Sequence, residues 1–223
     1  MKNLNLFALV ASLTLVFSSC STNENLLEEE QSLDLLKSYT IKRDASGAYS
    51  LDYNLNGNAE ADNVKDLKTN TNEIYLYSSD NQTNRSVSQD LSLDGDQFKV
   101  GFVDTNSNKK QSKITVIDDN IVFAKDTDQD MLAEYSITSN QDGTYSLDFK
   151  VEDKVEVDFI YNNEDSVYEI HLEKGNGNES SFERTFTKDE GSDLKIDFVN
   201  HTANTNSRIE APKKPRLIID SFN

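Results

Sequence analysis

The chain has 223 residues, 40 acidic side chains against 22 basic ones, and a formal charge of −18. That field repels phosphate backbones and anionic headgroups, so it argues against nucleic acid as a partner and against membrane attachment through surface charge. A single cysteine excludes any disulfide within the chain, and 11 Phe with 9 Tyr argue against a disordered acidic tail.

Residues 1–19 have the layout of a secretory signal peptide: Lys2 near the start, an apolar run from Leu4 to Phe17, then the small Ser18 and Ser19. The apolar run contains Ser12 and Thr14 and falls short of the roughly 20 residues that cross a bilayer. Cys20 follows directly, and Phe17-Ser18-Ser19-Cys20 resembles the lipobox of bacterial lipoproteins. The resemblance implies that the Cys20 thiol receives a diacylglycerol, that the chain is cut before it, and that the new amine is acylated. It also implies a lipid-anchored protein of the cell envelope, expected at the outer membrane, with surface exposure among the placements it allows. Each buried methylene of the acyl chains contributes about 0.8 kcal/mol to that anchor.

Residues 20–37 read as an acidic tether. Leu26, Leu33 and Leu36 could share one helical face, but the composition favours an extended segment, which at about 3.3 Å per residue holds the body tens of ångströms from the lipid.

The body then repeats itself. Tyr39–Leu55 and Tyr135–Val151 match at an offset of 96, with identities at Tyr39/Tyr135, Ile41/Ile137, Gly47/Gly143, Tyr49/Tyr145, Ser50/Ser146, Leu51/Leu147 and Asp52/Asp148. The same offset pairs Glu73, Ile74 and Leu76 with Glu169, Ile170 and Leu172, and Gly95 with Gly191. It also pairs Phe98–Val103 with Leu194–Val199, while the final strands, Thr115–Asp118 and Ile218–Asp220, match at 102 after an insertion holding Pro212 and Pro215. A shared offset over so long a stretch marks an internal repeat, with residues 38–130 as the first unit and 131–223 as the second.

Tyr49, Leu51, Tyr53 and Leu55 alternate with polar residues, as do Tyr145–Val151, Val155–Tyr161, Tyr168–Leu172, Phe98–Phe102 and Leu194–Phe198. This is the period of half-buried strands. Turn clusters separate them at Asp44–Gly47, Asp94-Gly95, Gln141–Gly143, Asn162–Asp165, Gly175–Asn178 and Glu190-Gly191. Short turns between short strands predict antiparallel meanders, because parallel strands need long crossovers. The expected fold is all-β: two tandem repeats of about 96 residues, each a sandwich-like unit, with one sandwich or barrel built from both as the alternative.

The inventory for catalysis is thin. His171 is expected on a polar strand face beside Glu169 and Glu173, and His201 in the Asn/Thr-rich loop Asn200–Ser207. Their repeat equivalents are Tyr75 and Thr105, so both histidines read as surface residues outside the duplicated framework. No serine lies in a nucleophile-elbow context, and paired carboxylates are too abundant for any pair to single out glycoside hydrolysis. Asp126, Asp128 and Asp130, followed by Glu134, place alternate carboxylates as a calcium loop does, though Met131 stands at the tight-turn glycine and Ile137 at the closing glutamate. The segment reads first as an acidic linker between the repeats, so no cofactor is expected, with calcium on these four carboxylates as the alternative. Asp165-Ser166-Val167 resembles the O-glycosylation acceptor of exported Bacteroidota proteins, which implies glycosylation at Ser166. Lys213, Lys214 and Arg216 around Pro215 are the only concentrated positive charge, expected to flank the last strand and discourage edge pairing.

These readings converge on a lipid-anchored, non-catalytic binding or adhesive β module with a protein or glycan partner. The alternatives are an envelope accessory lipoprotein that docks a protein along a strand edge, and a carboxylate-dependent hydrolase.

Overall fold

The computed structural model describes residues 35–80, 85–106, 109–118, 131–189, 191–201 and 213–220. The segments expected as signal peptide and, but for its last residues, as tether lie outside these residues, as do Cys20, Asp126, Asp128 and Asp130. The described residues are all-β and contain no helix. The first half contributes β1 (Leu36–Arg43), β2 (Tyr49–Leu55), β3 (Ala59–Asp66), β4 (Thr71–Ser78), β5 (Arg85–Leu91), β6 (Gln97–Asp104) and β7 (Lys109–Ile117). The second contributes β8 (Leu132–Ser139), β9 (Thr144–Val151), β10 (Val155–Asn162), β11 (Val167–Lys174), β12 (Ser181–Thr187), β13 (Leu194–His201) and β14 (Lys213–Ile219). β1 thus starts inside the segment expected as tether, with Leu35 fully buried just before it.

The strands form two sheets, in the orders β12-β9-β8-β1-β2-β5 and β10-β11-β13-β14-β7-β6-β4-β3. Each sheet runs through both halves, joined by β1 against β8 in one and β7 against β14 in the other. The two separate sandwich-like units expected from the repeat are therefore not formed. The reason lies in the margins: closed alone, the first half would leave β1 and β7 as bare edges with unpaired N–H and C=O groups, and pairing across the halves satisfies them.

Two pairings are parallel, β4 with β6 and β11 with β13, which corrects the expectation of simple antiparallel meanders. The chain leaves one sheet after β4, runs β5 in the other, and returns as β6 alongside β4. A strand in the opposite sheet thus serves as the crossover that parallel pairing requires.

The sheets pack face to face through aromatic rings. Tyr39 stacks on Phe102 at 5.2 Å and Tyr49 meets Phe98 at 5.0 Å. In the other half Tyr135 and Phe149 both meet Phe198, at 5.7 and 5.4 Å. Each offset or edge-on ring pair contributes about 0.5–1.5 kcal/mol beyond area burial. One apolar core draws on both halves, including Ile41 and Ile137, Leu51 and Leu147, Ile74 and Ile170, and Phe102 and Phe198.

Register relates the halves closely. Tyr39 pairs Tyr53 as Tyr135 pairs Phe149, and Leu76 pairs Ala61 as Leu172 pairs Val157. Phe98 lies opposite Val116 and Leu194 opposite Ile219, so β7 and β14 correspond at an offset of 103 rather than 102. A one-residue slip turns every side chain to the other face. At 103 the buried Val116 and Ile219 coincide, whereas 102 would equate Ile219 with the outward Ile117. By the same test β5 and β12 correspond at 95, because Val87 pairs Tyr53 where Phe182 pairs Phe149.

Candidate functional site

β10 and β12 are the outer strands of the two sheets in the second half, and a groove of 450 Å³ opens between them. Alternation along β10 turns Phe159 and Tyr161 toward the opposite sheet, while β12 contributes Arg184 and Phe186 and β11 contributes Tyr168. Tyr161 packs on Tyr168 at 4.7 Å, and Tyr168 on Phe186 at 4.9 Å. Outside this groove, at the start of β12, Phe149 stacks with Phe182 at 5.2 Å. Arg184 reaches across from β12 so that its guanidinium carbon lies 4.2 Å from the Phe159 ring centroid, clasping the two sheets by a cation–π contact. Thr185, Thr187 and Glu169 add polar groups to the rim. Tyr161 is 47% exposed and Ile160 44%, so apolar surface faces solvent in a chain otherwise dominated by polar surface.

The matching edge of the first half is built differently. With the registers above, Phe159 corresponds to Asn63 and Arg184 to Gln89, and there Asn63 Nδ2 donates to Gln89 Oε1 at 2.5 Å. Tyr161, Tyr168, Phe182 and Phe186 correspond to Lys65, Asn72, Val87 and Leu91. A hydrogen bond closes one edge and an aromatic groove occupies the other.

Glu169 connects the groove to a polar cluster on the outer face of the eight-stranded sheet. Its Oε1 accepts from Lys213 Nζ at 3.0 Å and from Asn162 Nδ2 at 3.2 Å. Its Oε2 lies 3.0 Å from His171 Nε2. Burial works against ionisation of Glu169, but the donors from Lys213, Asn162 and His171 outweigh it and hold the carboxyl down at about 2. His171 Nδ1 in turn lies 2.7 Å from His201 Nε2, with the two rings stacked at 4.9 Å. One strand over, Asp197 accepts two bonds from Arg216, at 3.0 and 2.9 Å. Reading each histidine as an isolated surface residue is thus corrected: parallel pairing of β11 with β13 brings them into contact. Their separation of 30 residues gives no sign of this, because β12 and two turns intervene.

The basic cluster also differs from expectation. Lys213, Lys214, Pro215 and Arg216 lie within β14, in the interior of the eight-stranded sheet rather than flanking an edge. Pro215, after a cis peptide bond, is accommodated at a bulge where the β13–β14 register shifts between Asp197 and Val199. The cations find carboxylates: Lys213 on Glu169, Lys214 Nζ 3.9 Å from Asp96, and Arg216 on Asp197.

A second depression, of 620 Å³, lies over the six-stranded sheet among Lys42, Asp44, Glu134, Asp148, Lys150 and Glu183. Glu134, the described member of the candidate calcium set, pairs with Lys150 at 2.6 Å. Among the described residues no three His, Cys, Asp or Glu side chains form a set that could hold a metal ion. Ser166 is exposed in the β10–β11 turn with φ of 53°, beside Asp165, whose carboxylate accepts from Asn162. Beneath the sheet, Arg43 Nε forms an ion pair with Asp118 Oδ2 at 3.2 Å, and that oxygen accepts a hydrogen bond from Tyr49 Oη at 2.6 Å. Burial pushes the phenols of Tyr49 and Tyr135 well above their ordinary range, so both stay protonated and act as donors in this network. It ties β1, β2 and β8 to the end of β7 and reads as structural. Set against known protein families, curated proteins and solved structures, the chain matches none of them.

Proposed function

We propose that this chain is a non-catalytic binding module of the bacterial envelope, anchored by lipid on Cys20, that takes its ligand in the aromatic groove between β10 and β12. In this reading the body is a duplicated β unit of about 96 residues whose two copies share both sheets, and one copy has been altered for binding. The observation that carries it is the asymmetry of the two edges. Phe159, Tyr161, Tyr168 and Arg184 line the groove where the first half has Asn63, Lys65, Asn72 and Gln89. Stability alone does not call for the change, since the hydrogen-bonded edge also closes. Concave aromatic surface with a few polar groups at its rim is the usual make-up of a recognition site.

The test is direct. The mature chain is screened against arrays of oligosaccharides and of extended peptides, and any ligand found is titrated into Tyr161→Ala and Tyr168→Ala. Aromatic anchors of this type contribute about 2 kcal/mol or more when truncated, roughly a 30-fold loss of affinity. Binding unchanged in both variants overturns the assignment to the groove. Cys20→Ala is expected to release the protein from membranes into the soluble fraction, and continued retention overturns the anchor.

A second reading is an accessory lipoprotein that docks a protein partner along a strand edge. It is favoured by the β3–β4 hairpin, where Val64 on the outer strand is 49% exposed and Leu67 in the turn is 85% exposed. At β10 the edge is protected instead, because Asp158 Oδ1 accepts from the Phe159 N–H at 2.9 Å. A proline at Val64 that abolishes capture of a purified partner while leaving the thermal melt unchanged would support this second reading.

A further inference from the structure

We propose that His171 and His201 form a two-histidine site for a borderline divalent metal ion of the zinc class, backed by Glu169. The argument begins with hydrogen-bond accounting. Glu169 is an ionised acceptor on Lys213 and Asn162, so His171 Nε2 carries a proton toward it, and in the neutral ring Nδ1 is then a lone pair. That lone pair points at His201 Nε2, 2.7 Å away, and a single proton lies between the two nitrogens. If His201 shifts its proton to Nδ1, two imidazole lone pairs converge on one point. A divalent ion can then take the place of the shared proton.

The dimensions suit an ion. Zinc–imidazole bonds of about 2.0–2.1 Å put two ligating nitrogens about 2.9 Å apart at a right angle and about 3.3 Å apart at the tetrahedral angle. From 2.7 Å the two nitrogens need to separate by about 0.2–0.6 Å, within reach of side-chain rotations on the outer face of a sheet. Glu169 supplies the carboxylate that metal-binding histidines commonly have behind them, fixing the tautomer and raising the basicity of the ligating nitrogen. The first half keeps the carboxylate and lacks the ligands: Tyr75 donates to Glu73 at 2.5 Å where His171 meets Glu169, and Thr105 stands in place of His201. Because no third protein ligand converges among the described residues, water completes the shell. Nitrogen donors select zinc, nickel or copper over calcium or magnesium. The inference does not rest on a ligand in the groove, although Glu169 stands on the rim of both.

The experiment titrates ZnCl₂ into the tag-free mature chain carrying Cys20→Ser, which removes the only thiol, and follows heat together with the histidine ring resonances in the NMR spectrum. One ion per chain is expected, with both histidines shifting. His171→Asn and His201→Asn are each expected to abolish the tight phase. Glu169→Gln should weaken it about 10- to 100-fold. Thermal melts in a chelator establish that each variant folds, and CaCl₂ should not displace the zinc. Absence of a tight phase, or one that persists in the His171→Asn/His201→Asn double variant, overturns the proposal and assigns any residual binding to surface carboxylates.

Discussion

Asp197 and Arg216 offer the sharpest test of how the second half is held together. The Asp197 side chain is 1% exposed on the outer face of β13, and its two oxygens accept from Arg216 Nε and one terminal nitrogen at 3.0 and 2.9 Å. Arg216→Ala removes both donors and leaves a desolvated carboxylate. Breaking a fully buried pair in this way costs about 3–5 kcal/mol. Arg216 is itself 42% exposed, so water can enter where the guanidinium stood, and we expect a smaller loss, about 2–4 kcal/mol. The compact unit Asp34–Asn223 has 190 residues, for which the unfolding entropy is about 0.4 kcal/mol per kelvin, so Tm should fall by about 5–10 °C. Calorimetry at neutral pH measures it. The first half carries Gly101 and Lys113 at these positions and pairs its strands without such a bridge, so Asp197→Ala/Arg216→Ala should regain at least half of the loss. A drop of less than about 2 °C for Arg216→Ala, or a double variant less stable than the single one, would show that burial of the carboxylate is not what the arginine offsets.

A Cβ on Gly177 would stand 1.9 Å from the Val155 carbonyl oxygen, so Gly177→Ala must displace the backbone that runs along the start of β10; about 1–3 kcal/mol and a Tm lowered by several degrees are expected. Gly95 has open space around it and only its φ of +68° to lose, so Gly95→Ala should cost about 1 kcal/mol, and a loss equal to that of Gly177→Ala would refute the steric account. In the two matching turns, Asp44 accepts from the Ser46 side chain and the Ala48 N–H, and Asp142 from Thr144, and these bonds hold both carboxyls below their ordinary value of 3.8. Because the folded values are depressed, the turns' contribution is fully present above pH 3.8 and is lost as pH falls through the folded values; Asp44→Asn/Asp142→Asn should therefore show a shallower fall of Tm below pH 4 than the parent, and parallel curves would count against the linkage. Calcium held by Asp126, Asp128, Asp130 and Glu134 would stabilise by about 2.7 kcal/mol at 100 times its Kd, so CaCl₂ should raise Tm by several degrees in the parent and not in Asp128→Asn; an unchanged Tm in the parent removes calcium.

Much of this molecule was legible in its residues. Alternation of Tyr49, Leu51, Tyr53 and Leu55, and again of Tyr145, Leu147 and Phe149, identifies strands because side chains on a pleat face opposite ways, and all seven are buried. Gly47, Gly95, Gly143 and Gly191 mark turns because each takes a positive φ that a Cβ would oppose. These are local properties, dictated by neighbours a few residues away. The offset of 96 likewise required only comparison of the chain with itself.

What tertiary structure decided was which strands meet. Hydrophobic alternation is satisfied equally by two closed units and by two shared sheets, and it was the need to cover the edges of β1 and β7 that joined the halves. The parallel pairing of β11 with β13 depends on a detour through the opposite sheet, and only that detour places His171 against His201 and Glu169 beside Lys213. The groove has the same origin. Phe159 and Tyr161 look like ordinary core residues in sequence, and they line a surface because β10 and β12 end their sheets. Sequence sets the face of each strand through the period of the backbone; the neighbours across the sheet, set by edge satisfaction and core closure, settle which faces become sites.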